Sequence, residues 1–331
     1  MGSFMTRAVG VGVDVADRTR ARIESHPRMR ELIYELRNRR KFADLHMHDI
    51  MLADRPRVDA YEAALRAHIR PGDVVVDLGT GTGVLAFLAA RQAARVEAIE
   101  HGPIIEAAQA VAAANGIENV RFHRMHSRSF SLPERADVIV HEQIGAALFD
   151  EGVVANMADL RDRVLKPGGR ILPHRLELSI EPVQLREELR LLPAWQQQVH
   201  GIDFSALRAF GDRQPFDYWY RRPREFPLDH FLCRVEPVVT IDLLTAGPQD
   251  LPHRITYEHP ATEAGSFDGF CVHFRAWFDD EISLSNSPED PQTSWVTPFL
   301  RVEPRRVEVG DPIRLDLHAE DLAEPRTWRW R

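Results

Sequence analysis

Residues 73–83 read DVVVDLGTGTG, and the order of residue types in that stretch sets the fold class. DVVVDL is a short run rich in β-branched side chains, too brief for a helix and apolar enough for a buried strand. Gly79, Gly81 and Gly83 then arrive at every second position. Glycine lets the backbone turn sharply and approach a ligand with no Cβ in the way. VLAFLAARQAA follows from Val84, an alanine- and leucine-rich segment that predicts a helix. Strand, glycine turn and helix in that order predict a doubly wound α/β sheet with a ligand loop at the carboxyl end of its first strand.

The same rhythm continues on the C-terminal side. RVEAIE (95–100) predicts a second strand and IIEAAQAVAAANG (104–116) a helix ended by Gly116. NVRFHRM and ADVIVHE predict a third and a fourth strand, followed by a helix over about 151–165 and a strand within LKPGGRILP. On the N-terminal side, VDAYEAALRAHI (58–69) predicts a helix stopped by Pro71 and Gly72. Residues 16–40 predict a charged amphipathic helix with Met29, Leu32, Ile33 and Leu36 at helical spacing. After about residue 173 the alternation fades. LELSIEPV, CRVEPVVTIDLL, FCVHFRAWF and IRLDLHA predict β segments joined by turns, hence an antiparallel barrel or sandwich. Residues of about 185–230 form a polar, aromatic excursion too long for a plain connection.

Composition bounds the function. The chain has 331 residues, 44% hydrophobic and 28% charged, enough for one large domain or two ordinary ones. A net charge of −8 disfavours bulk nucleic-acid binding and tolerates a cationic substrate. Cys233 and Cys271 supply neither a metal site nor a disulfide framework, which fits the cytoplasm. The N-terminus lacks a signal-peptide core, and no run approaches the ~18 to 20 apolar residues of a membrane span.

Two features carry chemistry. The first is the glycine loop with Asp77 before it and Glu100 at the end of the next strand, 17 positions after Gly83. An acid at that place can accept hydrogen bonds from both hydroxyls of a ribose. The loop lacks the lysine of a phosphate-binding loop, and Asp77 suits the amino-acid end of S-adenosylmethionine. NAD demands the same acid and stays an alternative at this point. The second feature is HEQIGAALFDE (141–151), in which Glu142 and Glu151 stand nine positions apart around an apolar segment. They are either surface charges or a two-pronged clamp for a cation.

These motifs resemble the protein arginine methyltransferases over most of the chain, from about 40 to 318. LKPGG before a late strand is similar to class I methyltransferases in general. FADLHMHDIMLADRPRVDAY (42–61) resembles the family segment that precedes the cofactor domain, with His48, Met51, Asp54 and Arg57 on matching positions. The resemblance implies that Arg57 grips the carboxylate of S-adenosylmethionine, a task suited to its planar fork. It also implies that Met51 shapes the space beside the methyl group. HEQIGAALFDE resembles the family's double-glutamate loop, with Gly145 in its glycine position. There two carboxylates orient a guanidinium and aim one nitrogen at the methyl, through alignment and charge stabilisation. SNSPEDPQTSWVTPFL (285–300) resembles the segment leading into a Thr-His-Trp loop. Thr293 and Trp295 fit, but Ser294 replaces the histidine that in the family pairs with the aspartate at the position of Asp54. Phe42 stands where the family has a tyrosine, and Ser127 and Arg128 where it has an acid against adenine.

The resemblance implies N-terminal helices over the cofactor (1–57), a Rossmann-like domain (58–172) and a β-barrel substrate domain (173–331). The excursion at about 185–230 resembles a helical dimerisation arm and implies a homodimer. The acceptor implied is an arginine-containing protein or peptide, free arginine or a guanidino small molecule. Alternatives are a small-molecule N- or O-methyltransferase on the same fold and a weakly active cofactor-binding partner protein.

Overall fold

The computed structural model of the protein describes residues 44–187, 198–207 and 226–331. The expected helix over 16–40, Phe42 and most of the 185–230 excursion lie outside the described residues.

Helix α1 (Leu45–Leu52) starts at Asp44, whose side chain accepts the His46 N–H. Helix α2 (Arg55–His68) starts three residues before the expected 58. The reason is Asp54, an N-cap whose side chain accepts from Arg57 N, followed by Pro56 in the first turn. Arg57, Tyr61, Ala64 and Leu65 form its buried face at helical spacing.

The parallel sheet contains β1 (Val74–Leu78), β2 (Arg95–Glu100), β3 (Val120–Arg124), β4 (Ala136–His141) and β5 (Leu165–Leu172), in the order β3-β2-β1-β4-β5. Helices α3 (Val84–Ala90), α4 (Ile105–Ala114) and α5 (Val153–Val164) alternate with the strands. β1 is buried along its whole length because both of its faces are covered. Gly116 has φ +64, as its place after α4 requires. LKPGG does not merely precede β5. Ala136 pairs with Leu165 and Val138 with Arg170, so residues 166–169 bulge out between them, and Lys166 Nζ donates to Asp137 Oδ1 at 2.8 Å.

The second half is antiparallel throughout. It begins with β6 (Arg175–Leu185), a short hairpin of β7 (Gln198–Val199) and β8 (Ile202–Asp203), then β9 (Leu228–Phe231), β10 (Pro237–Asp242) and β11 (Arg254–Pro260). It continues with β12 (Gly265–Trp277), β13 (Ser283–Ser285), β14 (Phe299–Val307), β15 (Pro312–Ala319) and β16 (Trp328–Trp330). Strands β10-β6-β12-β13, with β9 on β6 and β14 on β12, make one sheet, and β11-β15-β16 make another. β11 and β14 were not evident in the sequence. Pro304 interrupts the second, and the sheet absorbs it on an edge strand where the register shifts between Phe267 and Gly269. Where described, the arm contains a hairpin turning at His200 and Gly201, both at positive φ, followed by a short 3-10 helix over Ser205–Leu207.

One core runs through both halves, joining Val76, Ile139 and Met157 to Leu178, Phe270, Leu315 and Trp328. A second places Phe278 and Leu284 against Tyr61 and Leu65, with the Tyr61 and Phe278 rings edge-on at 4.9 Å. Each such side chain contributes about 1.5–3 kcal/mol on burial. The antiparallel half is thereby fixed against α2, next to the carboxyl edge of the parallel sheet. No described helix is long and apolar enough to cross a membrane.

Candidate active site

Leu78, the last residue of β1, pairs with Ile99 of β2 and with His141 of β4. The next residues of the three strands, Gly79, Glu100 and Glu142, therefore emerge level at one edge. Between β1 and β4 the strand order reverses, and doubly wound sheets take ligands in the crevice outside that point.

The glycine loop follows β1. Gly79, Gly81 and Gly83 have φ of +75, +55 and +95, a region that admits few other residues. A Cβ on Gly81 would lie 2.8 Å from His48 Cε1, so α1 packs its buried imidazole directly on the loop. Glu100 is buried at the end of β2, where Oε2 accepts from Gly81 N at 3.4 Å and Oε1 from Gly102 N at 2.6 Å. Asp77 is buried within β1 and accepts from Thr80 Oγ1 at 2.5 Å. Burial pushes its carboxyl up to about 7, opposed in part by Thr80 and by the Ala86 backbone, with Glu100 and Glu142 adding to the rise. Asp77 Oδ1 remains buried with no hydrogen-bond partner among the described residues.

Arg57 enters from α2. Its Nη1 donates to Glu142 Oε2 at 3.4 Å, its Nε lies 3.6 Å from Asp54 Oδ2, and its guanidinium sits 4.8 Å from the centre of the Trp295 ring. Arg57 Nη2 is buried and has no hydrogen-bond partner among the described residues. Trp295 is held by its own Nε1–H, which donates to Ile144 O at 2.7 Å, and by an edge contact with Phe274. Ser294 joins the site through its main chain, its N–H donating to Asp54 Oδ2 at 2.7 Å. Met51 is half-buried in the last turn of α1, just before Asp54.

Glu142 and Glu151 bound the loop between β4 and α5, both half-buried. Glu151 stands one residue before Gly152, the left-handed cap of α5. Within the loop, Asp150 Oδ1 accepts from Ala147 N at 3.0 Å and packs so closely on Gly145 that a Cβ there would lie 2.0 Å from it. Leu148 adopts φ 68, an uncommon conformation for leucine, with its N–H donating to Gly145 O at 3.0 Å and its side chain fully buried.

Three residues were not singled out from the sequence. Tyr61 is buried among Glu142, Arg57 and Asp77, and its hydroxyl donates to His141 O at 2.7 Å. Its signal was its place one helical turn after Arg57 on α2. Asn286 ties the loop between β4 and α5 to the Trp295 loop, with Nδ2 donating to Ala146 O at 3.5 Å and Val296 O at 3.4 Å. Asp150 is the third, hidden beside the more conspicuous Glu151. His141 is buried and pushed down to about 4, so it is neutral and bonds Pro173 O at 3.0 Å.

Residues 69–202 match the family described as Methyltransferase domain. Protein arginine N-methyltransferase 6 of Xenopus laevis is 31% identical over 280 residues, covering 79% of this chain and 79% of that protein. Arginine N(omega)-methyltransferase of Streptomyces achromogenes subsp. streptozoticus is 30% identical over 289 residues, covering 83% of this chain and 76% of that protein. The fold is shared with the Trypanosoma brucei PRMT1 enzyme–prozyme complex with AdoHcy, at a TM-score of 0.74 and 24% identity over 86% of this chain and 91% of that one. Arabidopsis thaliana protein arginine methyltransferase 10 gives a TM-score of 0.71, again at 24% identity, covering 87% of this chain and 92% of that one. The glycine loop, the paired glutamates and the fold thus meet in one assignment: the chain belongs to the protein arginine N-methyltransferase family and is an S-adenosylmethionine-dependent arginine methyltransferase.

Proposed function

We propose that this enzyme holds an acceptor guanidinium on Glu142 and Glu151, against the face of Trp295, and directs one nitrogen at the methyl group of S-adenosylmethionine. The observation that carries this reading is Arg57. A guanidinium of the chain itself already pairs with Glu142 and stacks on Trp295, which is the chemistry an arginine side chain brings. An uncharged acceptor has no need of two carboxylates.

The cofactor supplies an electrophilic methyl on a sulfonium, and the residues present fit it. Its zwitterionic end carries a carboxylate and an ammonium. Arg57 Nη2 is a buried donor and Asp77 Oδ1 a buried acceptor, each lacking a partner among the described residues. Arg57 takes the carboxylate and Asp77 the ammonium. Glu100 accepts from the ribose hydroxyls, Gly79, Gly81 and Gly83 admit the cofactor to the backbone, and His48 closes the loop from above. Met51 bounds the methyl, while Asp54 and Ser294 hold the tryptophan loop over the acceptor. When bound, the cofactor would supply a methyl that leaves its sulfur as a thioether while the guanidinium nitrogen takes it up, and the proton given up by that nitrogen would pass to one of the two glutamates or to water. Glu142 and Glu151 keep electron density on the attacking nitrogen and stabilise the charge that remains.

The acceptor is arginine in a protein or peptide, free arginine or a related guanidino compound; the Streptomyces relative is named for arginine itself. The chain divides at about residue 172 into a cofactor domain and a β-barrel substrate domain built from the two antiparallel sheets. It works as a cytoplasmic homodimer through the 185–230 arm. Exposed Val199, Ile202 and Leu207 on the described part of that arm support the dimer, and free Cys233 and Cys271 fit a reducing compartment. The test is methylation, read by mass, of free arginine, agmatine and an arginine-rich peptide. Glu142→Gln is expected to lose at least about 100-fold in kcat with cofactor affinity retained. Full activity of that variant, or no guanidino methylation by wild type, refutes the assignment.

A further inference from the structure

His141 is the last residue of β4, and Glu142 follows it directly. Within the sheet His141 pairs with Leu78 of β1. Its carbonyl belongs to the peptide unit that joins it to Glu142, and the Tyr61 hydroxyl donates to that oxygen at 2.7 Å. A peptide unit is planar, so holding its oxygen fixes the direction in which the next residue leaves. Tyr61 is itself fully buried on α2. The side chain of His141 serves a second partner. Its Nε2 lies 3.0 Å from the carbonyl oxygen of Pro173, between β5 and β6, where the parallel half passes into the antiparallel one. A carbonyl only accepts, so Nε2 carries the proton and Nδ1 is the acceptor of the neutral ring. That Nδ1 is buried with no hydrogen-bond partner among the described residues. A fully enclosed imidazole with one nitrogen unserved costs stability, and the bond to Pro173 O is the one its ring makes among the described residues.

These contacts close a circuit through both halves of the molecule. Pro173 is followed by His174, whose N–H donates to Trp277 O at 3.0 Å and whose carbonyl accepts Leu243 N at 2.7 Å. Trp277 ends β12, and the next residue, Phe278, meets the Tyr61 ring edge-on at 4.9 Å. Tyr61 then returns to the His141 carbonyl. The peptide from which Glu142 departs is therefore gripped by α2 through Tyr61 and by the junction of the halves through His141. Both grips lead to the same end of β12. Glu142 stands on the parallel half and Trp295 on the antiparallel half, between β13 and β14. Two groups on different halves can meet one guanidinium only if the halves are held in register, and this circuit holds them.

Resting on the clamp reading of Glu142, we propose that His141, together with Tyr61, is a positioning residue for methyl transfer. Its imidazole, through the Pro173 carbonyl, registers the first clamp glutamate against the antiparallel half.

Tyr61→Phe removes one hydroxyl and keeps the ring against Phe278. It is expected to lower kcat about tenfold at saturating substrates, with calorimetric affinity for S-adenosylhomocysteine changed by less than about threefold. His141→Met removes the ring N–H and is expected to lower kcat by at least about tenfold, again with cofactor binding retained. His141→Gln offers an amide N–H at a similar reach to Nε2. It is expected to recover most of that loss, a rescue that packing alone does not give. Both bonds act on one peptide unit, so Tyr61→Phe and His141→Met combined should cost less than the product of their separate losses. Nitrogen NMR of wild-type protein labelled at histidine, with the His141 signal assigned by its loss in His141→Gln, is expected to show Nε2 protonated and Nδ1 bare. An Nδ1–H tautomer overturns the proposal, as does wild-type kcat in either Tyr61→Phe or His141→Met. If His141→Met fails to fold, Tyr61→Phe and the tautomer decide the matter. Failure of the clamp reading looks different: wild type then binds cofactor but methylates no guanidino compound, and the positioning role falls with it.

Discussion

Replacing Gly145 by alanine inserts one methyl group into the clamp loop at its most crowded point. The added Cβ would lie 2.0 Å from Asp150 Oδ1, 2.3 Å from Cγ and 2.7 Å from Oδ2. Non-bonded contacts of that kind settle near 3.5 Å, so the carboxylate must retreat by at least about 1 Å. Gly145 is not among the residues at positive φ, so alanine carries no left-handed backbone penalty and the contact is the main effect. Retreat breaks the bond from Ala147 N to Asp150 Oδ1. A hydrogen bond to a charged acceptor is worth about 1.5–3 kcal/mol, and that is the expected loss of stability. The same retreat disturbs a loop bounded by Glu142 and Glu151. A displacement of about 1 Å in a positioning group costs up to about 100-fold in rate. Urea unfolding reads the first quantity and initial rates with saturating cofactor read the second, while cofactor affinity should change by less than about threefold. Asp150→Ala removes the obstruction, so the two substitutions are expected to be strongly non-additive in a double-mutant cycle. A Gly145→Ala protein with wild-type urea midpoint and kcat, or costs that simply add, refutes the reasoning.

Asp77 is held up to about 7 by burial, so its carboxyl is largely protonated below that pH and ionises as pH rises through it. An ammonium ligand needs the ionised form, so calorimetric affinity for S-adenosylhomocysteine should rise roughly tenfold from pH 6 to pH 8, and Asp77→Asn should flatten the slope. Glu181, fully buried and also raised to about 7 by burial, works on stability. Its contribution is present below the ordinary carboxyl pKa and is lost as pH rises through 7, so Glu181→Gln should flatten the urea midpoint between pH 5 and pH 8 and raise it at the upper end. Trp295→Phe keeps a ring against Arg57 but deletes the bond to Ile144 O, and should lower kcat/KM for the acceptor through a loss of about 1–3 kcal/mol while leaving cofactor affinity nearly unchanged.

Period and punctuation were enough for the parallel half. β1 and β4 were legible as short apolar runs, and β2, β3 and β5 by their place in the strand–helix alternation and the turns that bound them, while α3 and α4 were legible from alanine at helical spacing. The antiparallel half was legible only where apolar side chains dominate. β11 and β14 carry alternating charges and prolines, and their strand character comes from pairing with β15 and β12. The start of α2 was misplaced because Asp54 has two jobs, N-cap and site residue, and the apolar pattern reports neither. Gly79, Glu100 and Glu142 were recognisable as types, but their common level depends on Leu78 pairing with both neighbours, a fact of register. Tyr61 and Asn286 were missed because their value lies in what they bridge.

Asp54 and Asp77 show why residue type alone could not assign the site. Both are aspartates, both are buried, and both lie near Arg57 and Glu142 in the same crevice. Asp54 receives the Ser294 amide, the α2 amide and a guanidinium, all from the chain. Its charge is spoken for, and it serves as scaffold. Asp77 receives the Thr80 hydroxyl and the Ala86 backbone but keeps Oδ1 without a partner among the described residues, and burial works against its charge. A carboxylate left in that condition gains most from a cation brought by a ligand, because the ligand removes the cost that burial imposes. The unpartnered nitrogen of Arg57 is in the complementary condition and gains most from an anion. One buried acceptor and one buried donor, both reaching the crevice beside the glycine loop, are what a free amino-acid terminus requires. The chain thus differs in what it supplies to its two aspartates: Asp54 is engaged by groups of the chain, and the proposed function gives the open oxygen of Asp77 and the open nitrogen of Arg57 to the cofactor.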